Sequence, residues 1–292
     1  MLHGVSVAAF CGEACGYVAL SSLLQRRWYF MRSRSAASWR CQASVTPHAP
    51  DGEEHGSVGR AWVCGLPALE WVRGKAHEGA VSTQRRRHRL HARFATCNLL
   101  LSASFAAAVT ELTVRGRSSL TRHCGDSRAA CSVHFLSGLL ASLIWQSVLE
   151  YYWHAAMHTS VLYQRFHRFH HTYKSPQPFD DLFIHPLEAC GYYAILFSPA
   201  VAFPELHLAS FLAYMALCGV FGVLDHSGIK LRLGSYYDTR AHDAHHEKGW
   251  GAGFYLNLAF PFTVMDRLHG TYAAPDAPRP ASRRRGTSRR LS

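Results

Sequence analysis

The sequence predicts an all-α, polytopic membrane protein with a histidine-rich helical cap. Three observations carry this. Hydrophobic residues make up 48% of the 292-residue chain and charged residues only 17%, where a soluble protein has roughly 25% charged. Apolar runs of near-membrane length recur between residues 95 and 224. Histidines gather at helical spacing just beyond those runs.

The net charge is +12, from 31 Lys and Arg against 19 Asp and Glu. The arginines lie in blocks beside apolar runs, as in membrane-flanking loops, so nucleic acid is excluded as a partner. The nine cysteines are odd in number and form no CxxC pair. That excludes a disulfide scaffold and a thiolate metal site.

Three regions follow from composition. Residues 1–94 are poorly defined and largely disordered, 95–274 form the membrane domain, and 275–292 are a basic, disordered tail. Gly4 to Leu24 is apolar but carries Glu13, and reads either as a signal-like anchor or as a poorly ordered terminus. His48, His55, His77, His88 and His91 fall in the basic stretch that follows and are expected to have no metal role.

Ala95 to Leu112 is the first candidate span, followed by a polar connection from Arg115 to Cys131. Val133 to Ser160 reads as one helix. Its part up to Glu150 is about 27 Å long, close to the hydrocarbon thickness, which puts His154 and His158 on the next two turns. Gln146, Glu150, His154 and His158 form one i, i+4 stripe, expected to face protein or water. Glu188 to Phe203 and His207 to Leu224 read as a hairpin that enters and leaves the membrane on one side, with His207 at its far turn. The histidines before and after it therefore share a face. Gly249, Gly251 and Gly253 lack the strand and helix of a nucleotide loop.

Eleven of the twenty histidines lie between 154 and 246, and eight of these form three groups: His154 and His158; His167, His170 and His171; His242, His245 and His246. At this spacing each group aims two imidazoles, or three at most, at one point. Neutral imidazole suits iron, zinc, copper and nickel. HExxH of zinc proteases and Glu-x-x-His of soluble di-iron bundles are both absent. Eight imidazoles exceed what one ion uses and fit two. His226, next to Asp225, and His185 in IHPLE are further candidate ligands. Asp180, Asp181 and Asp243 are candidates to orient a ligand, and His269 reads as structural.

The motifs WHAAMH, FHRFHH and AHDAHH, with IHPLE and DHSG, resemble the fatty acid hydroxylase and sterol desaturase superfamily of membrane di-iron oxygenases. YKSPQPFDDLFIHPLEACGYY and FPFTVMDRLHGTY are similar to its fatty-acid-hydroxylase-domain and methylsterol oxidase branch, and the likeness covers about half the chain. The resemblance implies O2-dependent hydroxylation of a C–H bond in a lipid, a sterol or fatty acyl chain, at two iron ions. Electrons would come from a separate b-type cytochrome or NAD(P)H reductase, since neither an HPGG motif nor a nucleotide-binding domain occurs. It also implies a multi-pass endoplasmic reticulum protein whose active site faces the cytosol, a side that Arg283 to Arg290 favour as well. A desaturase with the same centre, or a metal-binding membrane protein without turnover, are the alternatives. Arg115, Arg117, Arg122 and Arg128 would then be lumenal, against the positive-inside trend.

Overall fold

The computed structural model describes residues 3–30, 40–41, 62–63, 66–67, 78–248 and 256–275. His48, His55, His77, the side chain of His88, the glycines 249–253 and the basic tail from 276 lie outside the described residues. Four helical stretches are long and apolar enough to cross a membrane: 4–29, 89–114, 128–157 and 208–225.

Helix α1 (Gly4–Leu24) continues as a π turn to Phe30. It runs antiparallel to α2 (Glu78–Val114), since Ser6 meets Glu111 while Glu13 meets Ser102. Glu13 and Glu111 in these two helices are thereby satisfied. Ser6 Oγ donates to Glu111 Oε2 at 2.8 Å, and Ser102 Oγ donates to Glu13 Oε1 at 2.7 Å. A carboxylate in a membrane helix is tolerated when it faces such a partner.

Helix α2 begins well before the apolar run, where the sequence reading expects disorder up to residue 94. The run QRRRHRLHAR consists mostly of good helix formers and feeds into the span without Gly or Pro, so the helix propagates through it. His91 is buried there. Its Nδ1 lies 3.0 Å from the Tyr173 hydroxyl, and its ring stacks on Phe183 at 4.7 Å.

Helix α3 (Arg128–Met157) is capped by Ser127, whose Oγ accepts from the Ala130 N–H at 3.1 Å. Val133, Leu136, Leu140 and Ile144 form an exposed apolar stripe along it, the face expected against lipid. The helix ends at Met157, so His158 caps it where the sequence reading continued to Ser160. The short α4 (Ser160–Arg165) and a 3-10 turn (His167–Thr172) follow.

The hairpin is unequal. Helix α5 (Pro186–Phe197) stops early because Pro199 lacks the N–H to continue it. One turn, α6 (Pro199–Ala202), leads to the bend, and α7 (Leu208–Asp225) returns. Tyr193, Leu196, Phe197, Phe211, Tyr214 and Phe221 pack the two arms into the core. Helices α8 (Thr239–Lys248) and α9 (Val264–His269) complete the domain.

The two ends of this bundle differ in kind. At one end Leu120–Thr121 pairs in parallel with Leu206–His207, and Cys124 is disulfide-bonded to Cys131 nearby in sequence. His207 lies here beside His134, apart from the other groups, as its position at the turn predicts. At the opposite end the three histidine groups meet, those before the hairpin with those after it.

Candidate metal centre

Three segments bring the histidines together. The last turn of α3 presents His154 and its cap presents His158. The 3-10 turn presents His167, His170 and His171, and α8 presents His242, His245 and His246. His226 caps α7. Their ring nitrogens sort into two sets. One holds His154, His158, His167, His171 and His245; the other holds His170, His226, His242 and His246; within each set the nitrogens lie within 4.8 Å of one another.

The sequence groups are therefore not the ligand sets. Each group aims two of its imidazoles at one point, as expected, and His154 and His158 do so in the first set. From the 3-10 turn the i, i+4 pair His167 and His171 joins the first set, while His170 joins the second. Helix α8 does the reverse: His242 and His246 join the second set and His245 the first. Two segments thus contribute to both sets and hold them side by side.

The inward atoms are Nε2. In the first set Nε2 of His167 lies 3.1 Å from that of His158 and 3.1 Å from that of His171, which is 3.2 Å from that of His245. In the second, Nε2 of His226 lies 3.2 Å from that of His170 and 2.9 Å from that of His242, itself 3.2 Å from His246.

Four rings are fixed from outside through Nδ1. His154 donates to the Leu258 carbonyl at 2.9 Å and His245 to that of Leu256 at 2.7 Å. His226 donates to the Gly222 carbonyl at 2.9 Å, and His167 to Glu188 Oε1 at 2.6 Å. A proton held on Nδ1 leaves a lone pair on Nε2 pointing inward, the form that binds a metal. Nε2 of His154 is buried and has no hydrogen-bond partner among the described residues. A lone pair with nothing to accept, amid converging neutral nitrogens, fits a cation.

Electrostatics keep the rings in that form. Burial, reinforced by the neighbouring histidines, holds His170, His171, His242, His245 and His246 well below the usual imidazole range. Burial lowers His226 to about 4.

The other predicted residues fall elsewhere. His185 lies outside both sets: its Nδ1 accepts from the Leu187 N–H at 3.2 Å, capping α5, and its ring sits among Phe94, Phe166 and Phe169. His226 is oriented by the Gly222 carbonyl rather than by Asp225. Asp180 accepts from the Gln177 N–H at 2.9 Å and Asp181 from the Tyr17 hydroxyl, while Asp243 is buried on α8. His269 bonds the Tyr152 hydroxyl and the Met265 carbonyl, a structural role as expected. Glu188 is the residue that sequence reasoning missed. Its signal was a single carboxylate in the first turn of an apolar helix beginning two residues earlier.

A cavity of about 160 Å³ opens against both sets. Its wall includes His154, His167, His170, His226 and His242, with Leu99, Trp153, Leu182, Ile184, Leu196 and Phe260 as apolar lining. Residues 139–271 match the family model for fatty acid hydroxylase. This segment is similar to the fatty acid hydroxylase family. Both histidine sets lie within it. The chain is 28% identical to mouse lathosterol oxidase over 57% of its own length and 54% of the relative. It is 30% identical to a Gibberella zeae Delta(7)-sterol 5(6)-desaturase over 46% of this chain and 37% of that one. To chicken methylsterol monooxygenase 1 it is 31% identical over 46% of each chain. It spans about half the length of the curated relatives it matches. No solved structure matches the chain.

Proposed function

We propose that this protein oxidises a C–H bond of a lipid, a sterol or fatty acyl chain, using O2 and two iron ions. The observation that supports this best is the pair of buried imidazole sets sharing one apolar cavity. His154, His158, His167, His171 and His245 would hold one iron; His170, His226, His242 and His246 would hold the other. When bound, the iron pair supplies reductive activation of O2, with electrons delivered by a separate b-type cytochrome or NAD(P)H reductase.

The chain's own part is positional. Glu188 and the carbonyls of Gly222, Leu256 and Leu258 lock ring orientation. Leu99, Leu182, Ile184, Leu196 and Phe260 exclude water and hold the substrate against the wall that the histidines form. Desaturation is the second reading, because the relatives include a sterol desaturase beside a monooxygenase. Both use the same site.

The setting is the endoplasmic reticulum membrane with the histidine end in the cytosol. The disulfide at the opposite end of the bundle supports this, since disulfides persist in an oxidising lumen and not in cytosol. It also outweighs the arginines of that loop. Glycosylation acceptors placed near Ser175 and after Pro280 should stay unmodified; sugar on one of them alone would break the shared-face argument. For the activity, elemental analysis of detergent-purified protein should find about two irons per chain. Lipid profiling with and without the protein should find one oxidised lipid missing. A folded, metal-free protein with no lipid change would overturn the proposal.

A further inference from the structure

Helix α2 lies before residue 139, outside the segment that matches the family model, and none of its described residues belongs to either histidine set. Three of its residues, His91, Phe94 and Asn98, are spaced i, i+3 and i+7 and so share one face. His91 and Asn98 are buried polar residues in a stretch long and apolar enough to cross a membrane. Polar side chains at such positions face protein, and burying them is costly unless they find partners.

This face reaches across to residues 169–184. His91 Nδ1 stands 3.0 Å from the Tyr173 hydroxyl, and its Nε2 faces Asp180 Oδ1 at 3.8 Å. The same ring stacks on Phe183 at 4.7 Å. Phe94 meets Phe169 edge to face at 5.3 Å. Asn98 Nδ2 donates to the carbonyls of Leu182 and Ile184 at 2.9 and 2.8 Å. The chain is thus held inside the 3-10 turn, at Phe169, and just after it, at Tyr173. Hydrogen-bond geometry in a 3-10 turn is poorer than in an α-helix, so contacts from outside matter more to where it sits. This turn carries His167 and His171 of the first set and His170 of the second, and Tyr173 follows His171 by two residues.

Resting on the two-iron reading above, we infer that His91 is a positioning residue for both ions: through Tyr173 it fixes the turn that supplies ligands to each set. Helix α2 then governs how firmly both irons are held without contributing a ligand to either. His91 differs in this from the other histidines of the basic N-terminal stretch, which the sequence reading places together with it.

Two measurements on the purified full chain in detergent test this. The first is amide hydrogen exchange after iron has been chelated. In His91→Leu the peptides covering 167–173 should exchange about tenfold faster than in wild type, the effect of losing a hydrogen bond at a buried hydroxyl. Those covering 242–246 on α8 should keep wild-type protection. The second is iron release to a chelator. His91→Leu and Tyr173→Phe should each speed the loss of both ions about tenfold. The double variant should be no faster than either single one, because it removes both ends of one contact. His91→Gln, which keeps a donor and an acceptor, should return most of the wild-type rate. Unchanged exchange at 167–173 in His91→Leu overturns the inference. So does equal acceleration at 242–246, which would make His91 a support of the whole fold, and so do single effects that multiply in the double variant. If His91→Leu does not fold, wild-type exchange at 167–173 in Tyr173→Phe overturns it instead. Wild type that takes up no iron sinks the two-iron reading, and the exchange result alone then decides whether His91 fixes the turn.

Discussion

The two histidine sets are built from the same segments but are held differently. In the first, three rings are fixed from outside: His154 and His245 by backbone carbonyls, His167 by Glu188. In the second, only His226 has such a partner, the Gly222 carbonyl. Nδ1 of His170, His242 and His246 is buried with no hydrogen-bond partner among the described residues. A ring whose outer nitrogen is tied gives its inner nitrogen one direction and one tautomer; an untied ring is free to exchange both. The first set is thus the more preorganised, and the second the one whose ion should leave first. Under stepwise chelation, iron should come off in two phases, and the second-set ligands should control the faster one.

Ligand removal tests the division most severely. His245→Ala should lower iron from about two to about one per chain and abolish oxidation, and His170→Ala should do the same through the other set. The residual ion should be the chelator-labile one in His245→Ala and the chelator-resistant one in His170→Ala. His55→Ala and His88→Ala, in the N-terminal stretch expected to have no metal role, should retain full iron and turnover. Identical chelation kinetics in the two ligand variants would show that the sets do not act as separate sites.

Glu188→Gln is milder. It keeps a hydrogen-bond acceptor near His167 Nδ1 but removes the charge that fixes the ring. Loss of such a partner typically weakens metal affinity about 10- to 100-fold. The loss should fall on the first set alone, shortening the slow phase of iron release and leaving the fast phase unchanged. An equal effect on both phases would assign Glu188 to the fold as a whole.

How far the sequence speaks can be judged from these residues. The eight grouped histidines were legible because imidazole at three- and four-residue spacing is rare outside ligand work. The shared face was legible because a hairpin must return to the side it left. The sorting of His170 away from His171, and of His245 away from His246, was not. It depends on how the 3-10 turn and α8 face each other, which no local spacing encodes. Glu188 was hidden for a similar reason: its partner is 21 residues away on another element. His185 was misleading because a histidine before Pro at a helix start serves equally well as a cap. Asp225 was misleading because sequence adjacency put it next to His226, while the ring turned to the carbonyl four residues back.

Acid should dissect the sets more gently than substitution. His226 is lowered to about 4 from an ordinary 6.5, and His170, His171, His242, His245 and His246 also lie low. Above about pH 8 these rings are neutral in folded and unfolded chains alike, so they leave the stability of the metal-free protein flat there. Below it the unfolded chain takes up protons that the folded chain refuses. Stability therefore falls as pH drops from 6.5 towards 4. Iron retention should fall in the same direction, because protons compete for Nε2. Melting midpoints of the metal-free protein at several pH values check this; a midpoint that rises on acidification would mean the rings are charged in the fold.

The smallest effect concerns the frame that carries Glu188 to His167. Gly191 on α5 lies so close to α3 that a Cβ there would come within 2.3 Å of the Trp153 ring. Trp153 immediately precedes His154 and lines the cavity, so any turn of the indole would carry it into that space. Gly191→Ala must push α5 outward or turn the indole, and overpacking of this kind costs about 1–3 kcal/mol. Because Glu188 sits three residues earlier on the same helix, the outward shift should also lengthen its bond to His167 and speed iron loss from the first set. Gly219 on α7 makes the contrast, since a Cβ there meets nothing within 4 Å. Gly219→Ala should be neutral or gain up to about 1 kcal/mol from helix propensity, with both iron phases unchanged. Equal melting midpoints for the two alanine variants would mean that the α3–α5 contact is looser than the Trp153 approach requires, and that Glu188 is positioned by its own side chain rather than by the helix beneath it.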